Sequence, residues 1–365
     1  MASPTFLPSE MRALQITEFN APYELRTIPV PKLGPHDLLV KVAVASYCHT
    51  DSMVASGVFR SQLPQTASHE GSGTVVAVGG SVSSLQVGDR VMCGIPLHPC
   101  GECEDCTSPI ENRRQYCSQT IGLGVTTHGC AADYVVADGR FTTKLPDSVS
   151  FLSAAPLACA GRTVYRAVLQ TELKPGQWVA IVGAGGGLGH LGIQFARAKG
   201  LKVIAIDARD DGLALSKDYG PDLVVDGRRE KADVVKEVQS ITGGKGADSA
   251  IVLADHAEAL AAAVTRMHGT VVQVAQPENI SVPFAELVFR DIRFKGSLVC
   301  SPKESDDMVA CVAEHGVKAR TNPFQGLDKI KELLRTVESG KLRGKAVIVV
   351  DPEQIEAEKR IGAKF

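Results

Sequence analysis

The sequence predicts an α/β protein whose N-terminal half is β-rich and whose second half is a doubly wound parallel sheet. Two observations carry this. Residues 11–45 alternate short β-like runs with Pro29, Pro31, Gly34 and Pro35, and further glycine-flanked runs follow at 71–80 and 87–92. After Cys159 the texture changes to strand, glycine turn, helix and strand in succession. A length of 365 residues leads to an expectation of about two domains.

Apolar content of 44% and charged content of 22% are those of an ordinary globular chain. A formal charge of −2 supplies no electrostatic reason to expect nucleic acid or an anionic membrane as partner. Residues 1–11 lack a basic stretch followed by an apolar core, and no apolar run approaches the ~20 residues of a membrane span. Of the ten cysteines, four crowd between Cys100 and Cys117. With no export signal, that crowding reads as metal ligation in a reducing, cytoplasmic setting rather than as disulfides.

Taken in order, Val40, Val42 and Val44 are spaced by two, as in a half-buried strand. Cys48-His49-Thr50-Asp51 stands at the mouth of that strand, where a thiolate would be anchored yet free to project. Cys48 also reads as a small buried hydrophobe, and Thr50 and Asp51 as a helix N-cap pair. Asp51 has a sharper reading too, because a ligating imidazole usually gives its second ring N–H to a carboxylate. His69, in Ser68-His69-Glu70-Gly71, is by itself an ordinary residue. With Cys48 and with Cys159 of Leu157-Ala-Cys-Ala-Gly161 it makes a two-thiolate, one-imidazole set that leaves a fourth metal position open.

Cys100-x2-Cys103-x2-Cys106-x10-Cys117 is the strongest local signal. Short Cys-x2-Cys steps wrap a loop around one tetrahedral ion, and four thiolates close the shell, which makes a structural zinc rather than a catalytic one. The last gap is long and polar, so Cys117 is the least secure ligand of the four.

Residues 178–182 form a buried-strand run, followed at once by Gly183-Ala-Gly185-Gly186-Gly187-Leu188-Gly189. A helical pattern then runs from Leu188 to Lys199 and stops at Gly200, and a strand at 201–206 ends at Asp207. The glycine spacing is one residue longer in its first step than G-x-G-x-x-G, but the strand–turn–helix–strand–acid context makes it a dinucleotide fingerprint. Its glycines let backbone N–H groups approach a pyrophosphate at a helix N-terminus. Asp207 would accept hydrogen bonds from a ribose diol and repel a 2′-phosphate, favouring NAD(H) over NADP(H), while Arg209 pulls the other way. The plainer alternative makes Asp207 the N-cap of a helix at 210–219. Strands near 223–226, 249–253 and 270–275, with amphipathic segments at 230–242 and 257–267, complete an expected six-stranded sheet. Helices at 306–314 and 327–339 then lead to a closing strand at 346–350.

Assembled, these residues resemble the zinc-dependent medium-chain alcohol dehydrogenases, nearest to their tetrameric, yeast-type microbial branch. The resemblance rests on Cys48-His-Thr-Asp51, His69-Glu-Gly71, the four-cysteine lobe, residues 157–165 (LACAGRTVY) and the glycine turn ending in Asp207. It implies a GroES-like catalytic domain over 1–162 and 300–365, interrupted by a Rossmann NAD-binding domain over 163–299. It makes Cys48, His69 and Cys159 ligands of the catalytic zinc, with Glu70 as a further candidate ligand behind it. Cys100, Cys103, Cys106 and Cys117 become the ligands of a second, structural zinc. Thr50 becomes the proton-relaying hydroxyl, Asp51 the partner of His69, and His49 a contact to cofactor phosphate. Gly183, Gly185, Gly186, Gly187, Leu188, Gly189, Asp207 and Lys345 are assigned to the cofactor. The implied substrate is a small alcohol or carbonyl compound, and the implied assembly a homo-oligomer, dimeric or tetrameric, formed through edge strands near 291–297.

Three departures from that family stand out. Ten residues, not seven, precede the fourth lobe cysteine. Met53 replaces a frequent relay histidine. The loop 57–63 lacks the pocket-narrowing tryptophan, with Phe59 as its nearest stand-in. The last departure motivates an alternative reading, a dedicated reductase of a bulkier carbonyl or lactol in a specialised biosynthetic pathway. A zinc-free relative that keeps the fold without dehydrogenation is disfavoured by the complete Cys48, His69 and Cys159 set.

Overall fold

A computed structural model describes residues 7–364. The chain forms two compact units, one comprising residues 1–159, 301–313 and 321–365, the other residues 160–300 and 314–320. Among the described residues no helix is long and apolar enough to cross a membrane.

The first unit opens with β1 (Glu10–Ile16), which pairs antiparallel with β2 (Glu24–Pro29) and, on its other side, with the two-residue β4 (Gln65–Thr66). Its central strand is β3 (Asp37–Tyr47), joined antiparallel to β5 (Glu70–Val78) and β7 (Tyr134–Asp138). Beyond β5 come β6 (Arg90–Gly94) and β8 (Thr143–Lys144). The half-buried alternation expected of β3 is not what forms, because nearly every residue from Asp37 to Ser46 is buried. Two features explain it. The helix Phe151–Pro156 packs on β3 and β5, covering a face that alternation would leave to solvent. The register also shifts between Val42 and Val44, so Val40, Val42 and then Ala45 join the core cluster, with Val44 outside it.

The second unit is a six-stranded parallel sheet of β9 (Trp178–Val182), β10 (Lys202–Asp207), β11 (Leu223–Asp226), β12 (Ala247–Val252), β13 (Thr265–Gln273) and β14 (Arg293–Gly296). Their order is β11-β10-β9-β12-β13-β14, so the chain reverses direction across the sheet between β9 and β12. Val182, Ile204, Ile206, Ala250 and Val252 fill one side against Val234, Val238 and Ala261. The helix after β9 spans Gly189–Ala198, and Gly200 follows with φ of 74°, the left-handed stop its position predicts. The amphipathic segment at 257–267 is helical only over Glu258–Val264. Thr265 already has extended backbone and opens β13, pairing with Ala247 in the sheet, so sheet pairing overrides the helical period.

The chain then returns to the first unit. β15 (Thr321–Gln325) pairs parallel with β16 (Lys345–Val349), and β16 pairs antiparallel with β3. The last helix, Pro352–Arg360, carries Glu358, which is 1% exposed. Glu358 receives the Phe151 N–H at 2.8 Å, ion-pairs with Arg90, and so lies at the positive end of the helix that begins at Phe151. Arg90 stacks 4.5 Å above the Phe151 ring. Replacing Glu358 by Ala strands a buried N–H and removes the partner of a mostly buried cation. A loss of about 2–4 kcal/mol is expected, read as a lower midpoint in urea unfolding, with Glu358→Gln losing less because its amide oxygen still accepts.

Candidate metal and dinucleotide sites

β3 ends at Tyr47, and Cys48 occupies the N-cap of the short helix His49–Ala55. The Cys48 N–H donates to Asp51 Oδ2 at 2.8 Å. Asp51 Oδ1 accepts the Ser68 N–H at 3.0 Å and lies 3.5 Å from His69 Nδ1, long for a hydrogen bond but close for a charge. Thr50 and Asp51 therefore lie in the first turn rather than at the N-cap, which is Cys48, because the helix already begins at His49. Asp51, three residues in, accepts the N-cap N–H and faces the imidazole.

Ser68 aims His69. Its φ is 73°, a left-handed backbone that costs a non-glycine residue on the order of 1 kcal/mol or more. Every polar group of Ser68 is engaged. Besides the N–H on Asp51, its hydroxyl donates to Ser46 O at 2.8 Å and its carbonyl accepts the Cys130 N–H at 2.6 Å. Gly129 permits that approach, since a Cβ there would stand 2.1 Å from the Ser68 carbonyl oxygen. Nothing in the sequence pattern marked Ser68, because its role comes from hydrogen bonds to residues 17 to 62 positions away.

Cys159 arrives from another direction. It lies in a widened helical turn, Leu157–Gly161, with five-residue hydrogen-bond spacing. Such turns concentrate at functional positions, and this one follows directly on Pro156, which has no N–H for the regular helical ladder. The donor atoms of Cys48, His69, Glu70 and Cys159 all lie within 4.8 Å of one another. His69 is 1% exposed, and neither of its ring nitrogens has a hydrogen-bond partner. Two orphaned imidazole nitrogens beside two thiols are costly unless a ligand takes one of them. The borderline-soft set of two sulfurs and one nitrogen fits zinc, with Glu70 within reach as an oxygen donor.

The charges around this cluster are arranged rather than merely buried. Hydrogen bonding from Cys159, with the Lys345 ammonium and the His69 ring close by, holds the Cys48 thiol well below its usual range. Cys159 is pushed up by the same contact and by burial. Burial pushes the Glu70 carboxyl up, while Lys345 pulls it down. Lys345 Nζ donates to Glu70 Oε1 at 3.0 Å and lies 2.8 Å from Oε2. Burial disfavours the ammonium, yet Cys48 and Glu70 keep its pKa above the ordinary lysine value. Lys345 is thus placed against Glu70. His49 is exposed and Thr50 half-buried on the helix start, and neither makes a side-chain hydrogen bond among the described residues.

Cys100, Cys103, Cys106 and Cys117 form the second cluster, also within 4.8 Å. Cys117 Sγ is 3.7 Å from Cys100 Sγ and accepts the Cys100 N–H at 3.4 Å. The lengthened gap, residues 107–116, is taken up mainly by a 3₁₀ turn, Glu111–Tyr116, which bulges without separating the sulfurs. Backbone N–H groups, that of Glu102 foremost, lower the Cys100 thiol to about 7, whereas burial pushes Cys106 up to about 12.

In the second unit, Asp207 ends β10, and its carboxylate is 5% exposed. It accepts the Gly185 N–H at 2.8 Å and the Arg209 N–H at 3.0 Å. The helix beyond it spans Asp210–Asp218 with Arg209 at the N-cap, so Asp207 is not the cap. Gly185 is obligatory, because a Cβ there would stand 2.0 Å from the Gly212 carbonyl oxygen. Leu188 is the N-cap residue of the helix that opens at Gly189. A cavity of about 570 Å³ lies at this point, lined by Gly183, Gly186, Asp207, Arg209, Asp255 and His256 among others. Its size, its glycine cradle at a helix N-terminus and its carboxylate fit the adenosine end of a dinucleotide.

Asp51 is the residue on which the first cluster hinges. Asp51→Ala leaves the Cys48 and Ser68 N–H groups without acceptors, at an expected cost of about 2–5 kcal/mol. Metal retention during dialysis should fall with it. Asp51→Asn, which keeps one acceptor, should lie between the two in both measurements.

Two family models match the chain, an alcohol dehydrogenase GroES-like domain over residues 34–147 and a zinc-binding dehydrogenase domain over residues 187–314. An alcohol dehydrogenase of Geobacillus stearothermophilus is 34% identical, covering 93% of this chain and 98% of its own. One from Rhizobium meliloti is 36% identical with the same coverage. The crystal structure of the alcohol dehydrogenase of the hyperthermophilic archaeon Aeropyrum pernix superposes with a TM-score of 0.82 at 31% identity, covering 93% of this chain and 99% of its own. With its two metal-competent clusters and its glycine turn in place, the chain belongs to the zinc-dependent alcohol dehydrogenase family.

Proposed function

We propose that this dehydrogenase transfers a hydride between NAD(H) and a small alcohol or the corresponding carbonyl compound, at a zinc held by Cys48, His69 and Cys159. The observation that carries the assignment is the convergence of those three donors around an imidazole with both nitrogens buried and unpartnered. Zinc bound there supplies Lewis-acid polarisation of the substrate oxygen, and the nicotinamide supplies or accepts the hydride. The chain's own residues do the rest. Asp51 orients His69. The Thr50 hydroxyl, on the helix start beside Cys48, passes the substrate proton, and water or His49 carries it onward where Met53 has no proton to give. Lys345 keeps Glu70 paired, so the carboxylate does not close the fourth position. The relatives matched are alcohol dehydrogenases, which favours this general reading over a dedicated reductase of bulky carbonyls.

Asp207 supports NAD(H) over NADP(H), since a buried carboxylate at the end of β10 repels a 2′-phosphate. The four-cysteine lobe supports a second, structural zinc. None of the ten cysteines is joined in a disulfide, in keeping with a cytoplasmic site of action. β14 lies at the edge of its sheet, and Phe284, Val288 and Phe289 beside it are 68%, 67% and 70% exposed. An unpaired edge next to exposed aromatic surface supports a homo-oligomer built through that side of the second unit.

Four outcomes test this reading. Cys48→Ser and Cys159→Ala should each abolish turnover while NADH binding, read by fluorescence, survives; near-normal rates in either would sink the catalytic assignment. Elemental analysis should find about two zinc ions per chain, and Cys106→Ser should lower that to about one. Against a graded aldehyde series, NADH should be favoured over NADPH by at least about tenfold in kcat/KM, and Asp207→Ser should narrow the gap. Val288→Asp with Phe289→Asp should reduce the mass measured by light scattering to that of one chain.

A further inference from the structure

A second cavity of about 570 Å³ lies wholly in the first unit and includes no residue of either metal-competent cluster. Its walls come from β1, β2, the segment after β2, and β7, with Leu97 and Ile121 closing one side. They are mainly apolar, with Met11, Ile28, Val30 and Val136 alongside Leu97 and Ile121. Its polar complement is one-sided. Arg26, Lys32, His98 and His128 line it, and no aspartate or glutamate does.

The hydrogen-bonding state of those groups sharpens the pattern. The side chains of Arg26 and Lys32 enter no ion pair or hydrogen bond among the described residues. His128 Nδ1 accepts the Thr66 N–H at 3.3 Å, which places its ring proton on Nε2. That N–H also has no hydrogen-bond partner among the described residues. Burial lowers the His128 pKa, in keeping with a neutral donor. His98 differs, since its Nε2 is already engaged by Asp37 at 2.7 Å. Gln15, 2% exposed, is tied to Thr66 Oγ1 at 3.1 Å at the base. The cavity therefore combines an apolar body with unpaired cations and donors, and offers no competing anion.

We propose that this cavity binds a small amphipathic organic anion, an aliphatic or aromatic carboxylate, with its apolar body against Ile28, Val30 and Leu97 and its head facing Arg26 and Lys32. The volume suits a ligand of roughly eight to ten carbons, and two exposed cations at the rim, with no aspartate or glutamate in the lining, favour a negative head over a neutral or positive one. The site is independent of the metal-site reading, because neither Arg26 nor Lys32 belongs to that machinery.

The test is calorimetric titration of the zinc-loaded full chain, saturated with NADH, with decanoate, its methyl ester and decylamine. Decanoate should bind one per chain, the methyl ester at least about tenfold more weakly, and decylamine not measurably. The double substitution Arg26→Glu with Lys32→Glu, at exposed positions, should weaken decanoate at least about tenfold while leaving alcohol turnover unchanged. Equal binding of decanoate and decylamine, or no binding of decanoate at millimolar concentration, would overturn the proposal. So would decanoate binding that is competitive with alcohol and indifferent to the two charge reversals, since that places the ligand at the metal site. Decanoate binding that disappears as the chain oligomerises would assign the cavity to a neighbouring copy and overturn it equally.

Discussion

The carboxylate of Asp51 is the constraint on which the first unit's chemistry rests. One oxygen fixes the start of the helix that follows Cys48, and the other fixes the left-handed turn at Ser68 that delivers His69. Two donors 21 positions apart in the chain are thereby held by the same group. A carboxylate in this position accepts N–H groups on both sides and still presents negative charge to the imidazole, which favours its ligating tautomer. The strain at Ser68 is stored locally and offset by three hydrogen bonds, the arrangement by which a rigid scaffold holds a reactive side chain in an otherwise unfavourable pose.

Around that pivot the electrostatics are balanced within a dry interior. Glu70, fully buried, is neutralised by Lys345 from β16, which the antiparallel pairing with β3 brings alongside. A lone buried carboxylate beside two sulfur donors would either take a proton or move onto the metal. The ammonium opposes both outcomes, so strand pairing between the C-terminal part of the chain and β3 keeps Glu70 paired beside the donor cluster. Glu358 works similarly further out, tying the last helix to the start of the helix that leads to Cys159.

The second unit relies on close backbone approach rather than on charge. Gly185 lies against Gly212 with no room for a side chain, and Asp207 is held by the N–H of Gly185 as well as that of Arg209. The glycine turn, the acidic residue and the following helix therefore form one interlocked piece. A longer first step in the glycine spacing does not disturb it, because the requirement is the contact at Gly185 and not the count of residues before it.

Local pattern determined much of this protein. The cysteine spacings, the strand–turn–helix–strand around Gly183–Asp207 and the stop at Gly200 are governed by short-range sterics and hydrogen bonding, so they are legible in the chain alone. The same is true of the four-cysteine lobe, whose extra residues fold into a bulge of their own. Tertiary structure decided what depends on distant partners. The pose of Ser68, the pairing of Lys345 with Glu70, the bulge that turns Val44 away from its expected face, and the early end of the helix at Val264 were all invisible to period and spacing. Each is set by hydrogen bonds or packing between segments tens to hundreds of residues apart, and no local preference encodes such a meeting.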